Sequence, residues 1–292
     1  MLSRAMKRTI SLVGAGRVGK TLGKCLHRLG WRIGAVVTRS VAHARPAVRW
    51  IGAGTPQHRI SLDIFAADVI LLATPDSVLA KVAVDLARIC GTDCARRIVL
   101  HTSGALDHTV LAPLARRGAS TASIHPMQTF TGREVPQLKN VIFAIEGQPA
   151  ARRVAQQIAR ALGGIPVIID PENKVAYHAA GTIVAGHGLA LIETAVQILL
   201  KLGFTRRRAL RALLPLMRQM LDNFESVGPQ RAWTGPLARR DYAIVAAHAK
   251  ALASYPREFR QAYDALALLS GHVLAKDSAA ALARLRRTLE KS

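Results

Sequence analysis

Two histidines stand at the ends of short apolar runs. "RIVLHTSGAL" places His101 beside Ser103, and "TASIHPMQTF" places His125 directly before Pro126. An imidazole can give or take a proton near neutral pH, and strand ends in an open α/β sheet are where ligands bind. His101 and Ser103 are read as ligand-binding, with Ser103 and Gly104 supplying hydroxyl and backbone donors, whereas Pro126 holds the His125 backbone extended. A third group lies further on. In "DPENKVAYHAAG", Lys174 and His178 are four residues apart on one helix face, with Tyr177 and Gly181 adjoining. Asp170 is the expected N-cap, with Pro171 at the first position and Glu172 in the first turn. A desolvated lysine near a helix N-terminus loses some preference for its charged form, which suits proton donation to a substrate oxygen. Lys174, His178 and His125 are therefore the catalytic candidates. No carboxylate stands at metal-ligand spacing from the histidines, so no metal is expected. In "WTGPLARRD", residues 233–241, Thr234 and Asp241 can cap helix ends, and the paired arginines can face an anion.

The ligand is named by a different stretch. "VGAGRVGKTLG" holds Gly14, Gly16 and Gly19 as G-x-G-x-x-G, after an apolar strand and at a helix start. The first glycine makes the turn, the second lets backbone approach a pyrophosphate, and the third allows close helix–strand packing. Residues Gly14, Ala15, Gly16, Arg17, Val18 and Gly19 are thus read as a dinucleotide phosphate loop. A site selective for NAD carries an acid about 20 residues on, at the end of the second strand. Here Thr38, Arg39 and Ser40 occupy that place, and a guanidinium with hydroxyls suits a 2′-phosphate. NADP is the expected cofactor. His101 and Ser103 are then read as cofactor-binding, with the donors of Ser103 and Gly104 going to the substrate or the nicotinamide amide. Thr74, Pro75 and Asp76 end another strand at the same sheet edge, where they would line the ribose and nicotinamide; a proline turn with a capping Asp reads equally well.

Seven strands must position these groups: "RTISLVGAG", "RIGAVVTRS", "DVILLATPDS", "RIVLHTS", "TASIHP", "NVIFAIEG" and "IPVIID". Near-continuous apolar strands separated by helical segments predict a largely parallel, doubly wound sheet covered on both faces. After Asp170 only helical patterns remain, at about 171–203, 205–227, 239–254, 256–272 and 275–290. Two domains follow, 1–168 for the dinucleotide and an all-helical 169–292 for substrate and dimer contact.

The 292 residues are half apolar and one-fifth charged, a globular composition. The opening "MLSRAMKRTISLVGAG" has a signal peptide's basic-then-apolar order, yet it runs straight into the glycine motif and reads as a first strand. No uninterrupted apolar run of about 18 residues exists, so no membrane span is expected. Cys25, Cys90 and Cys94 read as reduced thiols of a cytoplasmic protein. The net charge of +23 comes mostly from arginine, spread along the chain, with only 4% aromatics. Charge without clustering or stacking residues argues against nucleic acid and is compatible with attraction of a phosphate-bearing cofactor.

The order of the glycine loop, "HTSGAL", "SIHPMQTF", "FAIEG", "KVAYHAAG", "LLPL" and "TGPLARRD" resembles the Rossmann-like bacterial proteins with a C-terminal domain of unknown function of the DUF2520 type. These are labelled candidate NADP oxidoreductases. More distantly the chain is similar to ketopantoate reductase, pyrroline-5-carboxylate reductase and β-hydroxyacid dehydrogenases. The resemblance implies a Rossmann domain followed by an all-α domain like that of 6-phosphogluconate dehydrogenase, a homodimer through the helices, and hydride transfer on a small carbonyl or imine compound. A dinucleotide-binding sensor or structural protein without turnover is the alternative. In the β-hydroxyacid branch a catalytic lysine precedes an asparagine by four residues; His178 stands at that second place. Gly186-His187 replaces an expected Ser-Asn-like pair, and Arg240 replaces a glycine, and both departures bear on the substrate.

Overall fold

The computed structural model describes residues 8–292. Residues 1–7, which carry the basic opening, lie outside the described residues. Contacts divide the chain into two compact units, Met1–Ala185 and Gly186–Ser292.

The first unit holds one eight-stranded sheet. Its strands are β1 (Thr9–Val13), β2 (Arg32–Val37), β3 (Thr55–Gln57), β4 (Val69–Leu72), β5 (Ile98–His101), β6 (Ser120–Pro126), β7 (Ile142–Gly147) and β8 (Ile165–Ile168). They lie in the order β3-β2-β1-β4-β5-β6-β7-β8. All neighbours are parallel except β6 and β7. The doubly wound α/β class is as expected, with the 3-2-1-4-5-6 order of a dinucleotide-binding sheet. Two details differ from the sequence reading. β3 was not foreseen: it is three residues long and carries Pro56, which suits only an edge strand. β7 runs against β6, a direction that the residues of neither strand record.

The helices of this unit are α1 (Arg17–Arg28), α2 (Val41–Ile51), α3 (Asp76–Cys90), α4 (Ala112–Ala115), α5 (Pro149–Ala161) and α6 (Lys174–Thr182). Strand side chains alternate between faces, and two cores result. Ile10, Leu12, Val69 and Leu71 pack with residues of α1, α2 and α5. Val13, Ile70, Leu72 and Val99 pack with α3 and the segment around Leu111 and Leu114. Burial on both faces fixes the strand register, because a one-residue slip would exchange the two sets.

Cys90 closes α3 and Cys94 ends the turn after it, with Cα atoms 5.3 Å apart. That spacing suits a disulfide, and the two are joined, which corrects the expectation of reduced thiols. The cytoplasmic placement rested on those thiols and loses that support. Cys25 is free.

The second unit is helical: α7 (Gly188–Lys201), α8 (Arg206–Val227), α9 (Pro229–Ala232), α10 (Tyr242–Leu252), α11 (Arg257–Val273) and α12 (Ser278–Glu290). Its buried apolar residues are few, among them Val196, Ala209, Val245, Ala249, Ala267 and Leu285. Leu189, Leu202, Leu216, Leu221 and Phe224 are all more than half exposed. The helical stretch Pro171–Lys201 is the most apolar of the described helices by length and composition. By length and composition alone, with a mean hydropathy of 1.7 over an 18-residue window, it matches a membrane-spanning helix, and 6% of that window is buried. Glycine, threonine and histidine interrupt the apolar run, but its aliphatic residues keep the average high, and the chain still has no uninterrupted apolar run of that length.

Candidate active site

Three glycines make the turn from β1 into α1. Gly14 has φ +93°, and a Cβ there would lie 2.6 Å from the Ala73 carbonyl oxygen. Its amide donates to the Val37 carbonyl at 2.9 Å. Gly19 abuts the Gly14 carbonyl, so helix and turn touch backbone to backbone. Gly16 is the N-cap of α1, and no atom lies within 4 Å of the place its Cβ would take. No side chain caps α1, and its first turn holds no acid. The free amides at this end therefore have no acceptor from the chain. Beside them the buried Thr74 hydroxyl has no hydrogen-bond partner, a cost of roughly 1–3 kcal/mol unless a ligand offsets it. An open cradle, unclaimed amides and an orphaned hydroxyl fit a dinucleotide.

At the end of β2, the Thr38 hydroxyl donates to the Ser40 carbonyl at 2.7 Å, and Ser40 Oγ lies 2.7 Å from His43 Nδ1. Arg39 is exposed. His43, one turn into α2, was not among the sequence candidates; a histidine three residues past Ser40 was the available signal.

His101 and Ser103 organise the next strand end. His101 is fully buried, its Nδ1 accepting from the Ser103 amide at 3.2 Å and its Nε2 lying 3.1 Å from the Asp107 carbonyl. Burial, reinforced by the Lys174 charge, pushes this imidazole down to about 3. Both ring nitrogens are used within the chain, so His101 shapes the 101–107 turn. Ser103 Oγ accepts from the amides of Ala105 and Leu106.

The strand β6 alternates. Thr121, Ser123 and His125 share one face, and the β6–β7 register sets Glu146 opposite Ser123. Lys174, the first residue of α6, ends in this polar layer. Its ammonium is wholly buried and donates to the Ser103 carbonyl at 3.1 Å and to Ser123 Oγ at 2.8 Å. Glu146 Oε1 lies 4.0 Å away. Burial lowers the Lys174 pKa, against the opposing charges of Glu146, Asp107 and Asp76. One helical turn on, Tyr177 OH lies 3.3 Å from His125 Nδ1, and the His178 ring meets the His125 ring edge-to-face at 5.6 Å. Burial, then the charges of His178 and Lys174, push His125 down to about 4, and burial pushes the Tyr177 phenol up to about 12. Both are neutral at pH 7. A Cβ on Gly104 would lie 2.6 Å from the His178 ring and 2.8 Å from that of His125. The two histidines thus close over a backbone that only glycine permits.

The sequence candidates Lys174, His178, His125 and Ser103 come together. Ser123, Glu146 and His108 belong to the same cluster and were missed. Period-two polarity in "TASIHP" and a lone acid in the apolar strand "FAIEG" were the signals. Asp170 takes the N-cap position, with Pro171 first and Glu172 in the first turn as expected, although its side chain makes no capping bond. Asp241 does cap a helix, accepting from the Ile244 amide at the start of α10. Gly186 and His187 lie in a π-helical turn, Ile183–His187. Among the described residues no metal-binding cluster is found.

Residues 3–126 match the Rossmann-like domain, and residues 141–269 match a domain of unknown function, DUF2520. No curated protein matches the chain. Among solved structures, a candidate NADP oxidoreductase from Bacteroides fragilis is 23% identical, covering 89% of this chain and 96% of its own, with a TM-score of 0.74. A Thermotoga maritima protein, also 23% identical, covers 97% and 98% with a TM-score of 0.66. A reductive aminase from Aspergillus terreus, in complex with NADPH and ethyl-5-oxohexanoate, is 16% identical, covering 98% and 95% with a TM-score of 0.61. At these identities the likeness is one of fold. The order of the two matched segments agrees with the architecture above: a stretch similar to the Rossmann-like domain is followed by one similar to the DUF2520 domain.

Proposed function

We propose that the chain is an NADP-dependent oxidoreductase that transfers hydride to or from a small carbonyl or imine compound. One observation carries this reading. The dinucleotide cradle at Gly14–Gly19 and Thr74 and the polar cluster of Ser103, His125, Lys174, Tyr177 and His178 belong to the carboxyl edge of a single sheet. Similarity in fold to a candidate NADP oxidoreductase and to a reductive aminase solved with NADPH supports it.

In this reading the α1 amides hold the pyrophosphate, Arg39 with Thr38 and Ser40 holds the 2′-phosphate, and Thr74–Asp76 with Ser103 lines the nicotinamide. Bound NADPH supplies the hydride. Lys174 uses two of its N–H groups on Ser103 and Ser123, which leaves the third for the developing alkoxide or amine. His125, Tyr177 and His178 are the partly exposed members of the cluster, and there they meet the substrate. Residues 1–168 would then serve the cofactor, and residues 169–292 the substrate and the dimer.

NADPH should bind about tenfold or more tightly than NADH, since a charged hydrogen bond contributes ~1.5–3 kcal/mol and 1.4 kcal/mol is a factor of ten. The gap should shrink in Arg39→Ala. Fluorescence titration with both cofactors checks this, and equal affinities in the unaltered protein would defeat the assignment.

Exposed apolar side chains on and just after α7 and on α8, Leu189, Leu202, Leu216, Leu221 and Phe224 among them, exceed what a small helical unit leaves in water. A homodimer that buries this surface would cover roughly 2,000 Å² or more. Light scattering should give twice the chain mass of 31.4 kDa at micromolar concentration; a stable monomer would contradict the assembly.

A further inference from the structure

Glu146 is the one buried acid of the cluster and has no part in the reaction described so far. Its side chain is 2% exposed, yet Oε1 has no hydrogen-bond partner and stops 4.0 Å from the Lys174 ammonium. An ion pair retained only for stability would close that gap, because a buried carboxylate oxygen left unpaired is costly. The other oxygen, Oε2, lies 2.6 Å from His108 Nδ1, and the His108 side chain is 25% exposed. Three titratable groups therefore run in line from solvent to the buried amine: His108, Glu146, Lys174.

We propose that His108 and Glu146 form the route by which Lys174 regains a proton after giving one to the substrate. The inference rests on the oxidoreductase reading, in which Lys174 is the donor. Once Lys174 has lost a proton, its nitrogen is a neutral amine with a free electron pair. The His108 imidazolium passes its Nδ1 proton to Glu146 Oε2, leaving a neutral ring and a neutral carboxylic acid. Rotation of the carboxyl group about Cγ–Cδ brings the O–H toward Lys174, and the amine takes the proton. An ammonium and a carboxylate are restored, and His108 recovers its proton from water at its exposed edge. No hydrogen bond holds Oε1 in place against this rotation. Ser123 and Thr121 are the buried polar residues on this face of β6, His101 on β5 is held neutral, and Asp107 and Asp76 add negative charge toward Lys174.

Exchange of the Lys174 ammonium protons with water tests the route without any substrate. The chain has only 10 lysines, so nitrogen-labelled lysine gives a simple spectrum, with Lys174 assigned by its loss in Lys174→Arg. In His108→Asn and Glu146→Gln, exchange at Lys174 should slow by roughly tenfold or more while NADPH affinity stays within about twofold. His108 is partly exposed, so His108→Asn should fold even if Glu146→Gln does not, and it decides alone. Unchanged or faster exchange in folded His108→Asn would overturn the relay. Failure of the unaltered protein to bind NADPH would instead overturn the oxidoreductase reading, with the exchange result still judging the route.

Discussion

Gly16→Val is expected to weaken NADPH binding by about 100-fold or more, some 2.7 kcal/mol, while leaving the unfolding temperature nearly unchanged. No protein atom lies within 4 Å of the added Cβ, and the Gly16 backbone does not need a left-handed conformation. The valine therefore harms only what enters the cradle. Gly14→Val is the contrasting variant: φ of +93° and the Ala73 carbonyl 2.6 Å away put its cost into the fold itself. Calorimetric unfolding beside a cofactor titration separates the two. A Gly16→Val protein that binds NADPH normally would remove the phosphate-loop assignment.

Lys174→Ala carries the second large effect, and it has two parts. Removing the ammonium leaves Glu146 buried without its opposite charge and Ser123 without a donor, so a loss of ~3–5 kcal/mol in stability is expected. Turnover should fall by the ~10²–10⁴ typical of a lost general acid, with NADPH affinity within about twofold. Lys174→Met keeps most of the volume and reads the chemical part with less damage to the fold. His178→Ala should lower turnover in the same way, since its ring walls the Gly104 backbone beside His125. Full activity in both Lys174→Ala and His178→Ala would place the chemistry elsewhere in the chain.

The glycine loop was legible because its spacing is a backbone requirement: Gly14 and Gly19 stand where any side chain would meet main-chain atoms. The long helices after Asp170 were legible by periodicity, and α8, α11 and α12 begin within about three residues of the expected places. The pairing of the two strand-end histidines with Lys174 was half legible. His125 and Lys174 were chosen for their types, but His101 turned out to serve its own loop because both ring nitrogens find backbone partners. Glu146 was hidden by topology. Only the antiparallel turn from β6 to β7 sets it opposite Ser123, and nothing in "NVIFAIEG" states the strand's direction. The unit boundary shifted for a related reason. Composition changes after Asp170, yet the side chains of Lys174 and Tyr177 bond to residues of the sheet strands and the loop after β5, so the contacts of α6 fall with the first unit.

The most direct measurement of the central claim is the reduced-nicotinamide absorbance of NADPH mixed with the protein and a panel of small keto acids, ketones and cyclic imines. The account predicts substrate-dependent loss of that absorbance with at least one compound, faster with NADPH than with NADH and abolished in Gly16→Val. NADPH that binds tightly yet is never consumed across carbonyls and imines, in either direction, would contradict it.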